Sequence, residues 1–220
     1  MPDWIDPKTG LVRLTDEEKA KKGLIFNIGK VVIPCLLVSI SVGIGFAIHE
    51  WFDTALYESR IALLKEYDMQ WACLGAVIFY CTVIWLNIYV IDRKAKYSHG
   101  EKNLSPNFFI YSFANQNSFE SSAVILNEEG DIGKYNRGNR SIQYFIETNL
   151  SILVLLPITA FVYPTPSLVG FIIYCLGRIV YQIGYANFGF GGHFPGFGLD
   201  RTSSAIFIGL TIVATYKGFQ

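Results

Sequence analysis

Tyr174-Cys-Leu-Gly177-Arg178-Ile-Val-Tyr181-Gln182-Ile-Gly184-Tyr185 ends, and Arg137-Gly-Asn-Arg140-Ser-Ile-Gln143-Tyr144-Phe-Ile-Glu147 begins, a run of thirty residues, 148–177, that carries no formal charge. One bilayer crossing takes about 20 apolar residues, so thirty are too many for a single span, and Pro164-Thr-Pro166 divides them. The stretch reads as two antiparallel spanning helices whose polar clusters lie at the same end. At helical spacing Arg137, Arg140, Tyr144 and Glu147 share one stripe, and Tyr174, Arg178, Tyr181 and Tyr185 share another. Ionisable groups in or beside a span are costly and tend to face a bundle interior or a wet cavity, where they mark function. Snorkelling towards the headgroups accounts for Arg137 and Arg140 equally well. Glu147 and Arg178 have almost wholly apolar neighbours and point to a polar site.

Three further runs extend the pattern. Residues 31–48 are eighteen uncharged residues with Pro34 near their start, and residues 71–91 are twenty-one. Residues 202–216 number only fifteen, about 22 Å of helix, and span a bilayer of ~30 Å if Arg201 and Lys217 snorkel. Pro157 is expected to kink the third span, which a neighbouring helix accommodates. The prediction is an all-α membrane protein with five spans. A hydrophobic fraction of 51% and a mean hydropathy of +0.34 agree. The formal net charge is zero, which points neither to nucleic acid nor to a broadly basic membrane-surface patch. Cys35, Cys73, Cys81 and Cys175 lie in apolar runs without metal-site spacing, and His49, His99 and His193 are scattered, so no metal is expected. The glycine-rich stretch from Gly189 to Gly198 follows a helix rather than a strand, which argues against a phosphate cradle.

The chain divides into a polar N-terminal segment, 1–30, an additional N-terminal span, 31–52, an amphipathic connector, 53–70, and a four-span unit, 71–220, with a long polar loop, 92–140. Asp3 and Asp6 argue against a cleavable targeting segment. Thr15 and Glu18 form a capping-box pattern that starts a short helix. Trp51 and Tyr57 suit an interfacial belt. Within the long loop, 123–126 reads as a short strand, and the loop as a whole reads as a docking surface. Five Lys/Arg in residues 1–26 (Lys8, Arg13, Lys19, Lys21, Lys22) and seven in the long loop put both on the inner side, with the glycine-rich loop.

Arg-x-x-Arg followed seven residues on by Glu (Arg137, Arg140, Glu147), with a downstream Gly-Arg-x-x-Tyr-x-x-Gly-Tyr (Gly177, Arg178, Tyr181, Gly184, Tyr185), resembles the MAPEG family: microsomal glutathione transferases, leukotriene C synthase and prostaglandin E synthase. The second motif matches closely. The first departs from the family's Arg-Ala-His/Gln-x-Asn-x-x-Glu, with Tyr144 where Asn is usual. The resemblance covers residues 71–220 and implies a four-helix transmembrane bundle, here with one additional N-terminal transmembrane helix. It implies glutathione as co-substrate, its carboxylates clamped by Arg137, Arg140 and Arg178, with Glu147, Tyr181 and Tyr185 completing the binding site. Arg201 is the candidate catalytic residue, its guanidinium favouring the thiolate. In the family the corresponding arginine follows the Gly-Tyr motif by a shorter gap. The implied reaction is glutathione conjugation to, or reduction of, an apolar electrophile reaching the site from the lipid bilayer. The implied assembly is a homotrimer in the endoplasmic reticulum or mitochondrial membrane, with the N-terminus on the cytosolic or inner side. Tyr144 and the added span sustain a second expectation, a non-catalytic accessory subunit bound to other membrane-complex subunits, for example those of a respiratory complex. A channel or carrier would need an internal repeat or a charged pore line, and neither is visible.

The orientation is tested by the acceptor sequences Asn103-Leu-Ser, Asn139-Arg-Ser and Asn149-Leu-Ser. Expression in a glycosylating membrane system is expected to leave all three unmodified, and a mass shift from a glycan on Asn103 or Asn139 would overturn it.

Overall fold

The computed structural model describes residues 15–95, 109–113 and 124–220. Among them are six helices and one short hairpin: α1 (Asp16–Trp51), α2 (Thr54–Glu66), α3 (Gln70–Ala95), β1 (Tyr111–Phe113), β2 (Val124–Leu126), α4 (Gly130–Val162), α5 (Pro164–Phe188) and α6 (Phe194–Gly218). All but α2 are long and apolar enough to cross a membrane. The molecule is a helical membrane protein, and its exposed Leu, Ile, Val and Phe side chains along these helices fit a lipid surround.

Local chemistry sets the helix ends. Thr15 accepts from the Glu18 amide while Glu18 accepts from the Thr15 amide, completing the capping box. The helix expected to start there does so, but it is not short, because nothing breaks the chain between residues 16 and 51. α1 runs from the polar segment through the first span as one helix of 36 residues. Asp53 caps α2 through the Leu56 amide at 3.0 Å. α2 has no buried residue, so the expected amphipathic connector is exposed on all sides. Between α4 and α5 there is no loop. Tyr163 takes an extended φ of −132°, as a residue before proline prefers, and Pro164 starts α5 at once. α4 is continuous across Pro157.

The expected long loop is shorter than its composition suggests, since residues 130–140 form the first three turns of α4. Polar as they are, Tyr135, Asn136, Gly138 and Asn139 are buried, which is why this segment is helical. Asn136 fastens the hairpin to α4. Its amide nitrogen donates to the carbonyls of Ile110 and Asn127, both at 2.7 Å, and its oxygen accepts from the Ile110 amide at 3.0 Å. The expected strand at 123–126 is β2, paired antiparallel with β1.

α5 is the central helix, packed on α3, α4 and α6. Leu86, Phe145, Ile152, Phe171, Tyr174 and Phe207 form the apolar core between them. α1 stands outside this core and, among the described residues, packs mainly on α3, with a smaller contact to α2. Its attachment is polar: Lys30 Nζ lies 2.8 Å from Asp92 Oδ2 and 2.9 Å from Asn27 Oδ1, and over the Tyr89 ring. Sequence reasoning gave Lys30 and Asp92 no role, because each sits at the very edge of an apolar run and reads as a boundary charge. Across a helix seam the two edges coincide.

Removing one partner of a buried ion pair strands the other. Lys30→Met is expected to lower stability by about 3 kcal/mol in detergent, and Lys30→Met/Asp92→Leu to recover most of it. Equal losses in the single and double variants would contradict the pair's role in holding α1.

Candidate functional site

The polar cluster forms where α4, α5 and the first turns of α6 meet. α5 and α6 approach closely because Gly177 has no side chain: a Cβ there would lie 2.9 Å from Leu199 Cβ and 3.0 Å from the Asp200 amide. This approach brings Asp200 against Arg178.

Arg178 is 1% exposed. Its guanidinium reaches Asp200 Oδ2 at 3.5 Å and donates to the Ser141 carbonyl of α4 at 3.1 Å. The Tyr144, Phe145 and Tyr181 rings surround it, with centroids 5.0, 5.3 and 4.8 Å from Cζ. One side chain of α5 thus ties α4, α5 and α6 together. So enclosed, Arg178 has no surface with which to clamp a carboxylate. The clamp expected of it does not suit its burial, and it serves as the pin of the three-helix junction.

The other site residues are distributed unequally. Arg201 is half exposed, 3.2 Å from Asp200 Oδ2, 3.5 Å from Tyr144 Oη, and over the Phe197 ring. Asp200 therefore bridges a buried and an exposed arginine. Tyr144 stacks on Tyr181 at 5.3 Å, and Tyr181 lies 5.9 Å from Tyr185. Arg140 and Glu147, both exposed on α4, pair loosely at 3.8 Å, and Arg140 also donates to Gln143 Oε1 at 3.1 Å. Arg137 sits apart from this group: it donates to the carbonyls of Ala186 and Glu128, joining the end of α5 to the start of α4. Among the described residues no group of three or more His, Cys, Asp or Glu is placed to hold a metal ion.

Two residues of the cluster escaped the sequence reading. Asp200 is the only carboxylate between Glu147 and the C-terminus, so a census of possible partners for Arg178 would have found it. His193 had no such signal. Its ring lies 5.3 Å from Tyr181 and 5.7 Å from Tyr185, and its Nδ1 is buried without a hydrogen-bond partner.

Asp200 balances two arginines, so its loss is expected to cost more than the loss of Arg178. Asp200→Leu leaves Arg178 buried without a counter-charge, a loss of about 3–5 kcal/mol. Arg178→Leu leaves Asp200 paired with Arg201 and is expected to cost less; the reverse order in thermal unfolding would contradict this geometry. Against known proteins, the chain matches no family model, no curated protein and no solved structure.

Proposed function

We propose that the protein is an integral membrane glutathione transferase or peroxidase of MAPEG type, using glutathione thiolate to conjugate or reduce apolar electrophiles. The observation that carries this reading is the pair of outward-facing guanidiniums, Arg140 and Arg201, with side chains 53% and 48% exposed, alongside the stacked Tyr144 and Tyr181 rings. A tripeptide with two carboxylates, an ammonium and a thiol fits such a surface. Arg140 offers a paired-donor fork for a carboxylate, and the neighbouring Glu147 suits the ammonium. Tyr185 adds a hydroxyl, and Arg137 secures the helix end beside it. Arg201 is the group for the thiol: a thiol near its ordinary pKa of ~8.5 is mostly protonated at neutral pH, and an adjacent guanidinium favours the thiolate. Tyr144, in the place of the family's Asn, presents its hydroxyl to Arg201 and suits a role in holding that guanidinium. The groups face outward, which fits a ligand held between copies of a homotrimer.

A second reading, an accessory subunit of a larger membrane complex, is favoured by α1. Its most apolar window is only 6% buried, and this broad apolar face has no counterpart in a four-span bundle. Under this reading, native purification yields companion proteins that are released when residues 16–51 are removed.

The transferase reading is tested by the ultraviolet absorbance of glutathione thiolate on the purified protein. Binding is expected to raise thiolate absorbance at neutral pH. Arg201→Ala is expected to abolish the rise and slow thiol transfer about 10²-fold, as loss of one charge-stabilising donor does. Arg140→Ala is expected to weaken binding about tenfold with the thiolate still formed. Unchanged thiol chemistry in both variants would refute the assignment.

A further inference from the structure

Residues 188–199, the end of α5, the turn 189–193 and the start of α6, include no Asp, Glu, Lys or Arg. This is unusual for a connection at the polar end of a helical bundle. They carry exposed rings instead: Phe188 is 78% exposed, Phe190 87% and Phe194 54%. Gly189 and Gly191 take φ of 70° and 98°, conformations that turn the chain sharply and leave these rings on the outside. Water is a poor surround for three such side chains.

The depth of the loop identifies what surrounds it. α5 has 25 residues, about 37 Å at helical rise, against a hydrocarbon layer of ~30 Å. With Pro164 at the far boundary, Phe188 lies about 6 Å beyond the near one, within the headgroup layer. Aromatic side chains favour that layer, where lipid meets water. The exposed surface also continues down α6 through Phe197, Ile208 and Ile212, a face suited to acyl chains.

On its inner side the loop meets the cluster. The His193 ring lies 5.4 Å from Phe190 and 4.6 Å from Phe194, and it touches Tyr181 and Tyr185. Phe197 lies under the Arg201 guanidinium and 6.3 Å from His193. An unbroken aromatic surface therefore runs from the lipid-facing rings to Arg201.

We propose that residues 188–198 lie in the headgroup layer, with Phe188, Phe190 and Phe194 contacting lipid, and that this loop is the entrance by which an apolar co-substrate passes from the bilayer to Arg201. The entrance rests on the transferase reading; the lipid contact does not. Phe190→Trp in vesicles of phosphatidylcholine brominated near the top of its acyl chains tests the contact. The fluorescence added relative to wild type is expected to fall by about half, as for an interfacial indole, and to resist aqueous iodide. Quenching by iodide without quenching by bromine, or by neither, as when a second copy covers the ring, would overturn it. For the entrance, Phe190→Ser is expected to raise KM roughly tenfold for an apolar electrophile, with KM for a water-soluble one and kcat for both unchanged. An equal rise for both electrophiles would overturn the entrance. If the wild type turned over neither electrophile, the transferase reading and the entrance would fall together, while the quenching would still decide where the loop lies.

Discussion

Arg178 brings a positive charge into the interior of a helical bundle, where desolvation costs several kcal/mol unless the charge is met in full. The chain meets it from three helices: the Asp200 carboxylate of α6, the Ser141 carbonyl of α4, and rings of α4 and α5. These contacts draw the three helices to one point, with Arg178 Nε left without a hydrogen-bond partner. Gly177 belongs to the same solution, since any side chain there would hold Asp200 away. Arg140, Glu147 and Arg201 inherit their positions from this junction, and their exposure leaves them available to a ligand.

The same physics recurs where α1 meets α3. Lys30 and Asp92 each end an apolar run, and each becomes affordable beside a bilayer because the other lies opposite. The two ion pairs differ in what they organise. Arg178 and Asp200 close the core of the bundle, while Lys30 and Asp92 join α3 to α1, which packs along α3 outside that core.

Much of the fold was legible in the sequence because lipid imposes a simple rule: uncharged runs of sufficient length cross, and Pro164 and Pro166 divide the longest of them. The capping box at Thr15 and the strand at 124–126 were legible for equally local reasons. The extent of α1 and α4 was not. Residues 16–30 are polar enough to suggest a short helix and 130–140 a loop, whereas the first continues into an uninterrupted span and the second is helical with Tyr135 and Asn136 packed inward. In the candidate site, the stripes on α4 and α5 were visible from spacing alone. Spacing could not tell that Arg178 faces inward and Arg140 outward, which depends on where α6 lies. That in turn depends on Asp200, a residue which no motif marked.

The proposed site gives Arg140 to a carboxylate of glutathione and Arg201 to its thiolate, both on helices that meet at the buried Arg178. Calorimetry on the detergent-purified protein tests this most directly, comparing glutathione, S-methylglutathione and glutathione with both carboxylates esterified. Glutathione is predicted to bind more tightly than S-methylglutathione, because the thiolate that Arg201 favours adds to binding, and the diester is predicted not to bind. Absence of glutathione binding at millimolar concentration, or equal binding of the diester, would contradict this assignment.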